Sequence, residues 1–404
     1  MNYTGAPLNI LHTIGLKELY PLIRISFVVS NDLDLTRFEQ AILLCSKTVP
    51  ELFCKYVLSN NSFVPVTDDL SDILFTDQDP DNAIGQWNLF SDPQLRIFLN
   101  KVTNGYKITI YLSHILTDGA GGKQFLYLLA KAYNTGKIAE KNNQDITWIR
   151  KLLKEHPVKP NPQVDHPGKP LSMPALANSK NKRRRTVTYR LSKVETNKLR
   201  YAAHQAKVTL NDLFMAAFGW AVQRYSDTDE ISLACPTDMR QFIPGKGKLR
   251  IANHTSRYNI SVKSSLDQPF EKVVNTVHQA MARNKKQFQC FQSIQELVTN
   301  YDNYSLSDLQ KIVEENYHVR NISYTNFGII DDQKFSFRDC KITNFTMLGT
   351  YRKYPMFQVA VSTYSRQINF SFAMFGNDEE ERMGKTVILT MVDLLRSFFK
   401  KQYD

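Results

Sequence analysis

Apolar and polar residues alternate along Tyr106–Leu112. Tyr106, Ile108, Ile110 and Leu112 share one parity and Lys107, Thr109 and Tyr111 the other, which predicts a half-buried strand. Downstream, Phe125, Leu128, Leu129, Ala132 and Tyr133 recur at helical spacing, with Gly136 placed to end the helix. Between them lies Ser113-His114-Ile115-Leu116-Thr117-Asp118-Gly119, a strand–turn–helix junction. Earlier in the chain, Tyr20–Ser30 reads as a strand, Leu35, Phe38, Ala41, Ile42 and Cys45 as one face of a helix, and Leu95–Leu99 as another strand. The six aspartates of Asp68–Asp81 show little periodicity and predict a solvated acidic loop rather than a metal site.

From Pro157 the periodicity stops. Prolines 157, 160, 162, 167, 170 and 174 precede the basic run Lys180-Asn181-Lys182-Arg183-Arg184-Arg185, which together predict a linker over 157–185. The chain is thereby divided into a half at 1–156 and a half at 186–404. The second half opens with a strand at Thr186 and a helix whose Ser192 and Glu195 are spaced as a capping box. An apolar helix over Thr209–Tyr225 follows, then strands near Ile231–Ala234 and His254–Val262, and a helix over Gln268–Gln289. A hairpin of Phe357–Thr363 with Ile368–Met374 precedes an amphipathic helix over Asp378–Lys400. Both halves mix strands and helices, so the class is α/β or α+β.

Composition narrows the field. A 404-residue chain that is 42% apolar and 22% charged can bury a large core without metal or disulfide staples. No uncharged apolar run reaches the roughly 18 residues of a membrane span, and the first residues lack the basic flank of a signal peptide. The five scattered cysteines include no CxxC pair and fit reduced thiols in the cytoplasm. The net charge of +12 falls entirely beyond residue 160, because residues 1–160 contain 16 Lys/Arg and 16 Asp/Glu. Such asymmetry suggests an anionic partner for the second half. Nucleic acid is disfavoured, since neither a known module nor basic residues interleaved with aromatics is found.

Candidate chemistry concentrates at the junction. His114 continues the inward parity of the preceding strand, Asp118 sits where a helix begins, and Gly119 admits backbone geometry that a side chain obstructs. Two readings fit these residues: a core histidine, a helix N-cap and turn glycines, or a protected reactive imidazole. Other motifs fail. Gly119-Ala120-Gly121-Gly122-Lys123 lacks the spacing and final hydroxyl of a P-loop, and no G-x-S-x-G, HExxH, GxGxxG or spaced Cys/His set is present.

His114-Ile-Leu-Thr-Asp118-Gly119 matches HxxxDG, and the chain resembles the chloramphenicol-acetyltransferase-like superfamily. That group includes alcohol O-acetyltransferases, polyketide-associated acyltransferases and condensation domains. Further matches follow in order. Pro236-Thr-Asp238-Met-Arg240 resembles the family's P-V-D-x-R, Asn253 stands where members often carry G-N, and Thr325-Asn326-Phe-Gly328 resembles S-N-x-G. Val361-Ser-Thr-Tyr364 resembles the strand that comes after it, so the likeness spans nearly the whole chain. Ser113 stands where many members have a first histidine, which weighs against a peptide-bond-forming condensation domain.

The resemblance implies two related lobes, each a mixed sheet with helices, and a tunnel at their interface. It implies an acyl-CoA-dependent O-acyltransferase in which His114 is the general base and no acyl-enzyme forms. Asp118 and Arg240 are then a structural ion pair, Gly119 belongs to the same loop, and Asn326 and Gly328 line the tunnel or stabilise the oxyanion. Arg183, Arg184 and Arg185 are candidates for the phosphates of coenzyme A. Acyl-CoA is a co-substrate, no cofactor or metal is resident, and the acceptor is a small-molecule alcohol, lipid-like acceptors included. Two alternatives are a free-standing condensation-type enzyme fed by a carrier protein, and a catalytically idle ligand-binding relative.

Overall fold

The computed structural model describes residues 2–159, 166–177, 180–243 and 247–401. Two five-stranded sheets organise it. In the first, the order is Ile342–Gly349, Leu22–Val29, Gly105–Ser113, Leu95–Val102 and Leu74–Thr76. Strand Gly105–Ser113 is central and antiparallel to both neighbours, with Ile110 opposite Ile25 on one side and Ile97 on the other. In the second, Ile322–Ile330 runs parallel to Phe357–Tyr364, which forms the predicted hairpin with Gln367–Gly376. Arg183–Arg190 and the short strand Arg352–Lys353 also pair with Gln367–Gly376. A separate two-stranded ribbon joins Glu230–Asp238 to Thr255–Lys263.

The local signals act as their chemistry dictates. Asp118 caps helix Gly119–Thr135 by accepting from the Gly121 N–H, and Gly136, at φ 66°, ends it in the left-handed conformation that suits glycine. Ser192 and Glu195 form the capping box of helix Lys193–Gln205, and Thr209 with Asp212 forms another on helix Leu210–Gln223. That second helix is buried on every side from Asp212 to Gln223, because it lies between the sheet, the ribbon and helix Asp378–Lys401. Among the described residues no helix is long and apolar enough to cross a membrane.

Three sequence expectations need adjustment. The central strand is not half-buried: Thr109 and Tyr111 are each 1% exposed, like the apolar parity beside them. Their face carries a covered polar layer, in which the Tyr111 hydroxyl meets Arg24, Asp81 and Tyr351. The acidic segment is likewise more than a loop, since Leu74–Thr76 adds an edge strand and Pro80–Ala83 a helical turn that presents Asp81. In the proline-rich stretch, residues 160–165 and 178–179 lie outside the description. Leu171 and Met173 are buried in the larger core, and the strand starts at Arg183.

Two hydrophobic cores result, and neither follows the linker. Leu8, Ile10 and Leu11 of the short helix Pro7–His12, with Ile149 and Leu153 of helix Thr147–Glu155, pack into the core built by the second half. Conversely, strand Ile342–Gly349 forms an edge of the first half's sheet. These crossings clamp the halves together around the end of the central strand, where His114 lies.

Candidate active site

The backbone leaves the central sheet at Ser113 and is pinned at once. His114 N donates to Pro21 O at 2.8 Å, Thr117 N donates to Ser113 O at 3.1 Å, and Asn253 Nδ2 donates to His114 O at 2.9 Å. Ser113 spends its hydroxyl within this turn, accepting from Ile115 N. The His114 ring is therefore held at the seam between the halves rather than inside either core.

Behind it lies the ion pair that the resemblance implies. Asp118 Oδ2 accepts from Arg240 Nη1 at 2.9 Å and from His254 N at 2.7 Å, while Oδ1 accepts from Gly121 N at 2.8 Å. Arg240 further donates to Asp238, to Arg250 O and to Ala252 O. Burial pushes the Asp118 carboxyl up, but Arg240 and the backbone donor outweigh it and hold the group below the ordinary carboxylate range. The pair ties residues 118, 250 and 252 into one rigid unit beneath the imidazole.

His114, Asp118, Gly119 and Asn326 line a cavity of about 240 Å³ whose wall draws on segments from both halves. The other candidates are placed differently. Arg240 lies behind the wall. Gly328 is off the lining, at φ 69° with its N–H donating to Asn326 Oδ1, and Asn326 Nδ2 donates to Asn211 Oδ1. The Asn326 amide is thus committed largely to shaping a strand irregularity, not to an open oxyanion site. Arg183, Arg184 and Arg185 are not at the cavity: they form a strand against Gly376, Phe375 and Met374. Arg185 is neutralised by Asp378 and Glu381, and Arg184 reaches Asp81 O and Gly85. The carboxylates of helix Asp378–Lys401 take up Arg185, whereas the Arg183 side chain stays exposed.

Gly119 is needed for a reason other than backbone freedom, since it is absent from the positive-φ glycines. A Cβ there sits 2.6 Å from the Phe327 ring across the cavity. Gly119→Ala is expected to cost about 1–3 kcal/mol by overpacking. It should also lower turnover by pushing Phe327 into the cavity; a melting curve and assay matching wild type count against this contact.

One residue that sequence reasoning missed is His12, whose ring stacks on that of His114 with centroids 3.7 Å apart and planes 23° apart. Nothing in Leu11-His12-Thr13 marks it. Burial holds both imidazoles below their ordinary range, and for His114 it outweighs the opposing pull of Asp118 and of the carbonyls of His114 and Thr117. His114 Nδ1 is sealed from solvent with no hydrogen-bond partner among the described residues. That leaves Nε2 as the ring nitrogen a substrate in the cavity can reach.

A base works when deprotonated, so activity should fall as pH drops through a value below about 6.5. His12→Ala admits water to the ring, relieves the desolvation and should move this acid limb upward. His12→Phe keeps the ring covered and should leave the limb in place. Identical limbs in wild type and His12→Ala remove the shielding role.

The Condensation domain family model matches residues 78–383. Among solved structures, the chain is similar to the epimerization domain from the third module of tyrocidine synthetase B, with 14% identity, a TM-score of 0.66 and coverage of 100% of this chain and 98% of that one. It is also similar to polyketide synthase associated protein 5 from Mycobacterium tuberculosis, with 14% identity, a TM-score of 0.68 and 98% coverage of both chains. The TRI3 trichothecene 15-O-acetyltransferase from Fusarium sporotrichioides shows 13% identity and a TM-score of 0.69, over 98% of this chain and 95% of that one. At such identities the likeness is one of fold. No curated protein matches the sequence.

Proposed function

Because this chain belongs to the condensation-domain family, we propose that it moves an acyl group from a coenzyme A thioester to the hydroxyl of a small molecule. The supporting observation is the His114 imidazole, half-buried with its Nδ1 sealed, uncharged at neutral pH and set on a cavity between the halves. The acceptor O–H gives its proton to Nε2 as its oxygen attacks the thioester carbonyl. The tetrahedral oxyanion collapses, the C–S bond breaks, and the proton on His114 passes to the departing thiolate. The protein contributes the base and the exclusion of water, with coenzyme A thioester as co-substrate, no resident cofactor and a cytoplasmic setting.

A second reading, in which a carrier protein delivers the acyl group, draws on the family itself and on the synthetase-derived neighbour. One experiment separates the two. Thiol release is measured across acyl-CoA donors and alcohol acceptors, and in parallel with the same acyl groups on a pantetheinylated carrier. Saturable, acceptor-dependent release from coenzyme A thioesters is the expected result. Release from the carrier alone selects the second reading, and none from either donor leaves a ligand-binding relative.

A further inference from the structure

Lys123, Arg257, Arg320 and Arg352 all contribute to the lining of the cavity, and its Asp118 and Asp238 are both bound by Arg240 from behind. Arg352 is the sharpest case. It lies on the short strand Arg352–Lys353, is 5% exposed, donates from Nη1 to Arg320 O at 2.9 Å and has no hydrogen-bond partner at Nε. Burial alone brings it down to about 10; among the described residues no carboxylate acts on it. On the same wall, Arg320 donates to Asn259 Oδ1, and Arg257 donates to the carbonyls of His318 and Asn316 while stacking over Tyr317.

A buried cation with no counter-ion is costly to the folded chain. Its retention on the cavity wall makes sense when a ligand brings the missing charge. A guanidinium matches the paired oxygens of a carboxylate or phosphate. From this we infer that the cavity recognises its substrate through an anionic group of carboxylate or phosphate type, held against Arg352 while the reacting centre faces His114. This rests on the cavity being the substrate site proposed above. The anionic oxygens belong either to the acceptor or acyl group, or to the phosphates of coenzyme A.

Calorimetric binding distinguishes these sources without relying on turnover. The probes are 6-hydroxyhexanoate against its methyl ester, and coenzyme A against uncharged N-acetylcysteamine. They are titrated into wild type, Arg352→Gln and His114→Ala. At least one anionic probe is expected to bind tenfold or more tighter than its neutral counterpart. That ratio should collapse in Arg352→Gln and persist in His114→Ala, which lacks only the base. Preference within the first pair assigns the anion to the acceptor or acyl group, and preference within the second assigns it to the donor. Ratios below tenfold in both pairs, or a ratio that survives Arg352→Gln, overturn the inference. If Arg352→Gln does not fold, the wild-type ratios decide alone. Because binding is read in the inactive His114→Ala protein, failure of acyl transfer and failure of anion recognition are separate results.

Discussion

His114→Ala is expected to reduce acyl transfer by about 10²–10⁴-fold, the usual contribution of a positioned general base, while Tm moves by only a few degrees. The asymmetry follows from where the residue sits. Its backbone is pinned by Pro21 O and Asn253, and both bonds are made by main-chain atoms that alanine retains. The lost side chain stacks on His12 at the cavity edge instead of filling either core. Substrate affinity should change little, so the deficit belongs in kcat. A variant with a large loss of stability would instead place the imidazole among the packing residues.

Arg240→Ala is expected to destabilise the fold by about 3–5 kcal/mol, because it strands a buried carboxylate. Asp118 would keep the Gly121 and His254 N–H donors but lose the cation that compensates its burial. The carbonyls of Arg250 and Ala252 would lose their donors as well. Asp118→Asn should destabilise as well, since its single amide oxygen can replace only one of the two carboxylate oxygens that accept from Gly121 N and His254 N, and its NH2 then faces a donor. The two changes together should cost less than their sum, as partners in one network do. Calorimetric melting of the three variants checks this, and unaltered transitions in both single variants count against the pair as the anchor of the histidine loop.

Much of the junction could be read in the chain because its signals are local. Alternation from Tyr106 to Leu112, apolar residues at helical spacing from Phe125, and the cap residues Asp118 and Gly136 each act within a few positions. The pairing of Asp118 with Arg240 spans 122 residues, so only the family resemblance pointed to it. His12 and Arg352 left no local trace. One comes from a short helix before the first long strand and the other from a two-residue strand, and only the tertiary fold sets them at the cavity. The opposite error befell Arg183, Arg184 and Arg185. Three adjacent charges suggested a phosphate-binding cluster, yet pairing with Gln367–Gly376 turns Arg185 inward onto Glu381 and Asp378. The joining of strand Ile342–Gly349 to the first sheet was likewise invisible, because alternation identifies a strand and not its partner.

The role of the imidazole can be tested by titrating the His114 ring protons by NMR and comparing the midpoint with the acid limb of the transfer rate in wild-type protein. Coincident midpoints below about 6.5 are expected, since a desolvated ring loses its proton early and works only without it. A ring that titrates at or above that value, or a rate that ignores its protonation, would mean that another group takes the acceptor's proton.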